Sequence, residues 1–374
     1  MSLRTNSKPM ATSTLELVSV LIGISVAVFL AGSLPANAQE NGPASNASIA
    51  PLFADDSLLV VTIEAPLTTL MRDRPDKQYL DGTFSFTADD GTERTVDLKL
   101  RTRGKYRRQE EHCDFAPIRL NFRPTQLADT RFAGQDKLKL VTHCRNNRRD
   151  YEQLVLREYL AYRLLNAITD ASFGVRLLRI NYINTEGGRT MKKFGFVLED
   201  DDAVAARNGM KPVKTGNISG DDLDRRQRNL INVFEYMIGN TEYSLTVGEP
   251  DEACCHNIDL LSATDGAPLT PLAYDFDFAG IVNAPYAQPN PKYKLDSVRQ
   301  RLYRGSCTNN DLLADTFQRF IDKQEVLYGL VHGLGSLSNN SRRSVIRYLN
   351  TFYTHITKPK YVKTRFVNKC ESAE

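Results

Sequence analysis

From residue 57 onward the chain alternates between two hydrophobic periods. "SLLVVTIEAPL" (57–67) is apolar and β-branched enough for a strand, and "TFSFTADDGTERTVDLKLRTRG" (83–104) alternates apolar and polar residues on both sides of Asp90-Gly91, the pattern of a hairpin. "APIRLNF" (116–122) and "KLKLVTH" (137–143) predict further strands. The period then lengthens: in "YEQLVLREYLAYRLLNAIT" (151–169) Leu154, Leu160, Leu164 and Ile168 fall near helical spacing among good helix formers, which predicts a helix. "VRLLRINYIN" and "KKFGFVLED" predict a second hairpin around Glu186-Gly187-Gly188. Beyond Asp221 three stretches, "DDLDRRQRNLINVFEYMIGN", "NNDLLADTFQRFIDKQEVLYGLV" and "SRRSVIRYLNTFYTHI", predict helices. Periodicity is weakest between Asp200 and Gly220. The expectation is an α+β protein of two unequal lobes with a cleft between them: a β-rich lobe with one major helix over 57–205, and a mainly helical lobe over 206–374.

At 374 residues, with 41% apolar and 25% charged residues, the chain can bury a large core. A formal net charge of +3 gives no argument for nucleic acid as a partner, and "RTRGKYRR" (101–108) and "RNNRR" (145–149) read as local basic clusters. Near the start, Arg4 and Lys8 precede the apolar run Leu17 to Leu34, and Ala36 and Ala38 form an A-x-A cleavage signal. This predicts a signal peptide over 1–38, a flexible leader over 39–56, and a secreted or periplasmic protein with no membrane association after cleavage. All six cysteines follow that signal, so disulfides are expected; Cys113 with Cys144, and Cys307 with Cys254 or Cys255, are the economical pairings among fifteen. A zinc site is disfavoured, because no C-x-x-C occurs and the five histidines are scattered.

One stretch breaks the ordinary pattern. "TPLAYDFDFAG" (270–280) places two carboxylates two residues apart in an apolar run. Read as a strand, it sets Asp275 and Asp277 on one face, with Tyr274, Phe276 and Phe278 on the other. Two close like charges need something positive between them, and a divalent cation supplies it; a solvent-facing edge strand is the plainer alternative.

What precedes this stretch adds to it. "FEYMIGNTEYSL" (234–245) ends a helix and enters a loop bearing Asn240 and Glu242, and "CCHNIDLL" (254–261) follows with Asn257. The order of loop acid, asparagine and strand-borne Asp resembles the catalytic loop and metal-binding Asp of protein-kinase-like enzymes. More closely, the blocks resemble the atypical secretory kinases related to the spore coat protein CotH, and exported bacterial proteins with G-N-T-D, H-N and Y-D-F-D blocks, over about Leu58 to Arg304. The resemblance implies a two-lobed protein-kinase-like fold and transfer of a phosphoryl group from ATP with Mg²⁺ or Mn²⁺ to a protein or small hydroxylated acceptor. It implies Asp275, Asp277 and Asn257 as metal ligands and Glu242 as the acid near the acceptor. For the nucleotide it implies a Lys–Glu pair, for which Lys139, nineteen residues before Glu158, is the candidate, with Arg119 as the alternative cation. Gly104 in "RTRGKYRR" permits backbone approach to phosphates, although no G-x-G-x-x-G is present.

Glu242 stands where these families show Asp. The extra methylene displaces the carboxylate by over ~1 Å, and ATP is scarce outside the cytoplasm, so a pseudokinase-like binding module is the second expectation. A carboxylate-dependent hydrolase is the weakest, since two strand carboxylates two residues apart point the same way rather than flanking a bond.

Overall fold

Each strand expected in the first half forms, and their edges meet in a way that local pattern does not encode. The structure, a computed structural model, describes residues 48–250 and 252–372. The expected signal segment and the first part of the leader lie outside the described residues. Strands β1 (Leu59–Ala65), β2 (Leu80–Thr87), β3 (Glu93–Thr102), β4 (Ile118–Phe122) and β5 (Lys137–Val141) run as an antiparallel meander. The hairpin of β6 (Val175–Asn184) and β7 (Met191–Leu198) joins with β7 against β5.

β6 then pairs in parallel with β1, from Leu59 opposite Leu178 to Ala65 opposite Asn184, and the seven strands close into a barrel. This overturns the expected two-lobed, protein-kinase-like architecture with a β-rich lobe and a mainly helical one. Alternation within a strand is local, whereas the partner of a sheet edge is not; here the β1 and β6 edges satisfy each other's N–H and C=O groups along β1. The alternating apolar set fills the interior: Val61, Ile63, Leu98, Leu100, Ile118, Leu120, Leu140 and Ile180 are buried there. β7 shows why "KKFGFVLED" loses alternation. Val197 points into the barrel while Phe196 and Leu198 pack outward, so both faces of the strand are apolar.

The outward face of β6 and β7 is covered by α2 (Arg149–Asn166), which follows β5 and realises the predicted helix. Tyr159 and Tyr162 of α2 pack on Phe196, and Tyr162 reaches across to Phe276. A short helix, α1 (Leu67–Asp73), follows β1. The stretch without strong periodicity holds α3 (Asp201–Arg207) and β8 (Lys211–Val213).

The second half centres on α4 (Arg225–Ile238), capped by the Asp224 side chain, with every residue from Asn229 to Ile238 buried. Strands β9 (Ile258–Ser262) and β10 (Thr270–Ala273) extend β8 into a three-stranded sheet. On α4 pack α5 (Leu313–Asp322) and α7 (Asn339–Thr357), while α6 (Gln324–Gly333) lies against α2 and α7, and the short α8 (Pro359–Val362) against α7; the single helical stretch read from 309 to 331 is two helices meeting at Lys323. Disulfides join Cys113 to Cys144, Cys254 to its neighbour Cys255, and Cys307 to Cys370. The first pairing is the one expected; Cys307 reaches the C-terminal segment instead of the 254–255 pair. Among the described residues no helix is long and apolar enough to cross a membrane.

Candidate functional site

The D-x-D stretch is not a strand where its charges lie. β10 stops at Ala273, and Asp275 sits in the left-handed backbone region at φ 59°, so Asp275 and Asp277 do not share a strand face. Asn257 is likewise left-handed, at φ 54°. Asp and Asn tolerate this region better than other side chains, and single residues held there cluster at functional sites. Two contacts hold the turn: the Asp275 N–H donates to the Tyr162 hydroxyl at 2.8 Å, and the Tyr274 N–H to the Asn257 carbonyl at 3.1 Å.

Two glycines tie this turn to the loop that carries Glu242. Gly239 closes α4 in the left-handed region, and a Cβ there would lie 1.9 Å from the Tyr348 hydroxyl; a Cβ on Gly280 would lie 2.4 Å from the same oxygen. With both side chains absent, the Gly280 N–H donates to the Gly239 carbonyl at 3.0 Å. The glycines of "GNTE" and "DFDFAG" are therefore required by one tyrosine. Asn240 fixes the next step, its Oδ1 accepting from the Glu242 N–H at 3.0 Å, and the Asn257 Nδ2 donates to the Glu242 carbonyl at 2.7 Å.

These segments form one side of a cavity of about 350 Å³, lined by Glu242, Glu249, His256, Asn257, Asp275 and Asp277 among others. The loop after β3 forms the other side with Arg103, Gly104, Lys105, Tyr106 and Arg107. Gly104 supplies the positive φ of 81° that lets the loop turn back over the cavity. Lys105 pairs with Glu252 across the mouth. Tyr106 stacks on His112 and donates to the Tyr286 carbonyl at 3.2 Å.

Arg107 answers the question that the paired aspartates raise. Its guanidinium lies among three carboxylates: Nε is 3.2 Å from Asp277 Oδ2, Nη1 is 3.2 Å from Glu158 Oε2, and Nη2 is 3.6 Å from Asp275 Oδ1. The Tyr286 hydroxyl also donates to Asp277 Oδ2, at 3.1 Å. Arg107, Glu158 and Asp277 are buried, whereas the Asp275 side chain is 44% exposed. Burial pushes Asp277 and Glu158 above the usual carboxylate range, partly offset by Arg107. Burial works against the charge on Arg107 too, but Asp277 and Glu158 outweigh it and hold the guanidinium well above its ordinary value. Glu242 is pushed up to about 8, first by burial and then by the charges of Asp277, Asp275 and Glu249.

The structure thus brings Glu242, Asn257, Asp275 and Asp277 to one cavity, with Glu158 behind Arg107. The expected Lys139–Glu158 pair is replaced: Glu158 takes Arg107, and the Lys139 ammonium lies over the rings of Phe173 and Tyr274, at 5.7 and 5.6 Å from their centroids. Arg119 stands opposite both Arg101 and Lys139 in the sheet register, on the outer barrel wall. Burial lowers Lys139, and the nearby Arg103 lowers it further. Sequence reasoning noted "RTRGKYRR" as a loop suited to anions but gave no sign that one of its arginines would reach Asp275 and Asp277. Among the described residues no three His, Cys, Asp or Glu side chains converge into a metal cage.

One buried acid lies just behind the Glu242 loop. Glu235 is fully buried in α4, and burial pushes its carboxyl up to about 8 against the lowering effects of the Asn240 side chain and of Arg304. A carboxyl raised in this way binds its proton more tightly folded than unfolded, so its contribution is complete below about pH 4.5 and is lost as pH rises through about 8. Glu235→Gln keeps the shape without the titration. Denaturant melts should show the parent losing stability between pH 5 and pH 9, and the variant losing about 4 kcal/mol less over that range. Equal slopes for the two proteins would show that Glu235 is not held as the neutral acid. As to known proteins, the chain matches no family model, and no curated protein matches it, so the reading of this cavity rests on its own geometry.

Proposed function

We propose that the cavity binds a nucleoside triphosphate together with one divalent cation, and that the protein is an exported phosphotransferase acting on a protein or small hydroxylated acceptor. The reading does not depend on a kinase fold, because the same chemistry is carried by unrelated folds and lives in the site. The observation that supports it is the opposition of two walls: Arg103 and Lys105 on a loop turned by Gly104, facing Asp275, Asn257 and Glu242. An anion with a bound cation presents charges of both signs to such a cleft.

The residues fit a cation only in part, and the part decides the mode of binding. Asp277 is committed to Arg107 and Tyr286, while Asp275 is half-exposed and the Asn257 Nδ2 is occupied by the Glu242 carbonyl, leaving its amide oxygen as an acceptor. One carboxylate and one amide oxygen suit Mg²⁺ or Mn²⁺, which keep several waters and are held jointly by protein and phosphates rather than by an all-protein cage. When bound, the cation neutralises charge on the phosphates during transfer. Arg103 and Lys105 orient the phosphate groups, Arg107 holds Asp275 and Asp277 in place, and Glu242 accepts the proton of the attacking hydroxyl.

Thermal melts test the binding step. Mg²⁺ alone and ATP alone should shift the melting temperature little, the two together should raise it, and Asp275→Asn should abolish the joint effect. An Asp275→Asn protein that responds fully to Mg²⁺ with ATP would remove Asp275 from the site. The binding-module reading stays as the second, favoured by Glu242: with its carboxyl pushed up to about 8, it is mostly protonated at neutral pH and is a poor base there.

A further inference from the structure

We infer that the C-terminal helical face is a docking surface for an acidic peptide segment of a partner protein, an inference independent of the nucleotide site. From Val326 to Cys370 the chain carries eight Lys and Arg and no Asp or Glu, in a protein whose total acidic and basic counts are nearly equal, 45 and 48. Lys358, Lys360, Lys363, Arg365 and Lys369 are exposed, and among the described residues none of them is in an ion pair.

The same segment forms one wall of an apolar groove. Leu313, Phe317 and Ile321 of α5 face Ile356, Val362 and Val367 across about 610 Å³, with Lys363 among the lining residues and Val367 42% exposed. The acids of α5 are placed differently: Asp315 and Asp322 do not line the groove, and Asp322 accepts from Gln318. The wall is built rather than frayed. Phe366 is fully buried against Tyr236, Phe317 and Tyr303, with ring centroids 4.5 to 5.0 Å apart, and the Cys307–Cys370 disulfide anchors the segment beyond it. A preformed groove adds no ordering cost of its own to that of the peptide.

Charge complementarity selects the occupant: a short segment whose apolar side chains enter the groove while flanking Asp and Glu meet the lysines and arginines at its rim. A membrane surface fits less well, because the apolar residues are recessed in a concavity, whereas interfacial binding needs them to project.

The test uses the exported protein and a short fluorescein-labelled peptide of alternating Asp-Glu and Leu-Phe pairs, read by anisotropy. Saturable binding is expected that weakens steeply with salt, and that falls by at least about tenfold both in Lys358→Glu/Lys360→Glu/Lys363→Glu and, without any charge change, in Ala314→Trp, which fills the groove. A peptide with Lys in place of its acids should not bind. No saturable binding at low salt, binding unaffected by either variant, or binding to phosphatidylglycerol vesicles without binding to the peptide would each overturn the inference. Circular dichroism melts of the two variants matching the parent confirm that lost binding is not lost folding.

Discussion

Arg107→Ala should lower the stability of the protein by about 3–5 kcal/mol, and by more at pH 8 than at pH 5. The expectation follows from what the guanidinium touches. It is the shared partner of Glu158, Asp277 and Asp275, the first two of them buried. Without it, the two buried carboxylates keep their desolvation cost and lose the charge that offset it. Their folded-state affinities for protons, already raised by burial, then rise further. Groups raised in this way are stabilising only while protonated, so the variant recovers part of its stability at low pH and loses it as pH climbs. Arg107→Lys should recover less than half of the loss, since an ammonium cannot span three carboxylates as a planar fork does. Urea titrations at the two pH values measure this; a variant within about 1 kcal/mol of the parent at both would mean that the three carboxylates are not held by Arg107.

The largest effect on activity is expected at Glu242. If this carboxyl takes the proton of the acceptor hydroxyl, Glu242→Gln should reduce transfer by roughly 10²–10⁴-fold while leaving nucleotide affinity nearly unchanged. The pH profile carries a second readout. A base pushed up to about 8 in the free protein is empty of its proton only above that value, so kcat/KM should rise through pH 7 to 9 and flatten beyond. Glu242→Asp removes one methylene and retracts the carboxylate by about 1 Å. Transfer that appears only in Glu242→Asp would make the natural protein a binding module, and Glu242→Gln at the parental rate would take Glu242 out of the chemistry.

Much of the local structure was legible because strand and helix follow from period. The hairpins about Asp90-Gly91 and Glu186-Gly187-Gly188 and the helix over 151–169 needed only alternation, turn residues and spacing. Barrel closure was not legible, since nothing within β1 or β6 states that these two edges pair in parallel across more than a hundred residues. The D-x-D turn misled for a related reason. Alternating Asp and Phe mimics a strand, yet Asp275 turns left-handed where its N–H meets Tyr162, a residue contributed by α2. At the site, Glu242, Asn257, Asp275 and Asp277 could be gathered from the order of short motifs. Arg107 could not, because of the arginines in "RTRGKYRR" only the fold selects the one that reaches three carboxylates.

The central claim is that Asp275 and the wall opposite it hold a nucleotide and a cation together. Crystals of the protein grown with Mn²⁺ and a non-hydrolysable ATP analogue test it most directly, through the anomalous difference map. The expected result is one Mn²⁺ peak bonded to Asp275 and to the analogue's phosphates, with Arg103 and Lys105 on the phosphate oxygens and Arg107 still on Asp277. An analogue bound with no peak at Asp275, or a cavity that stays free of analogue at saturating concentration, would contradict it.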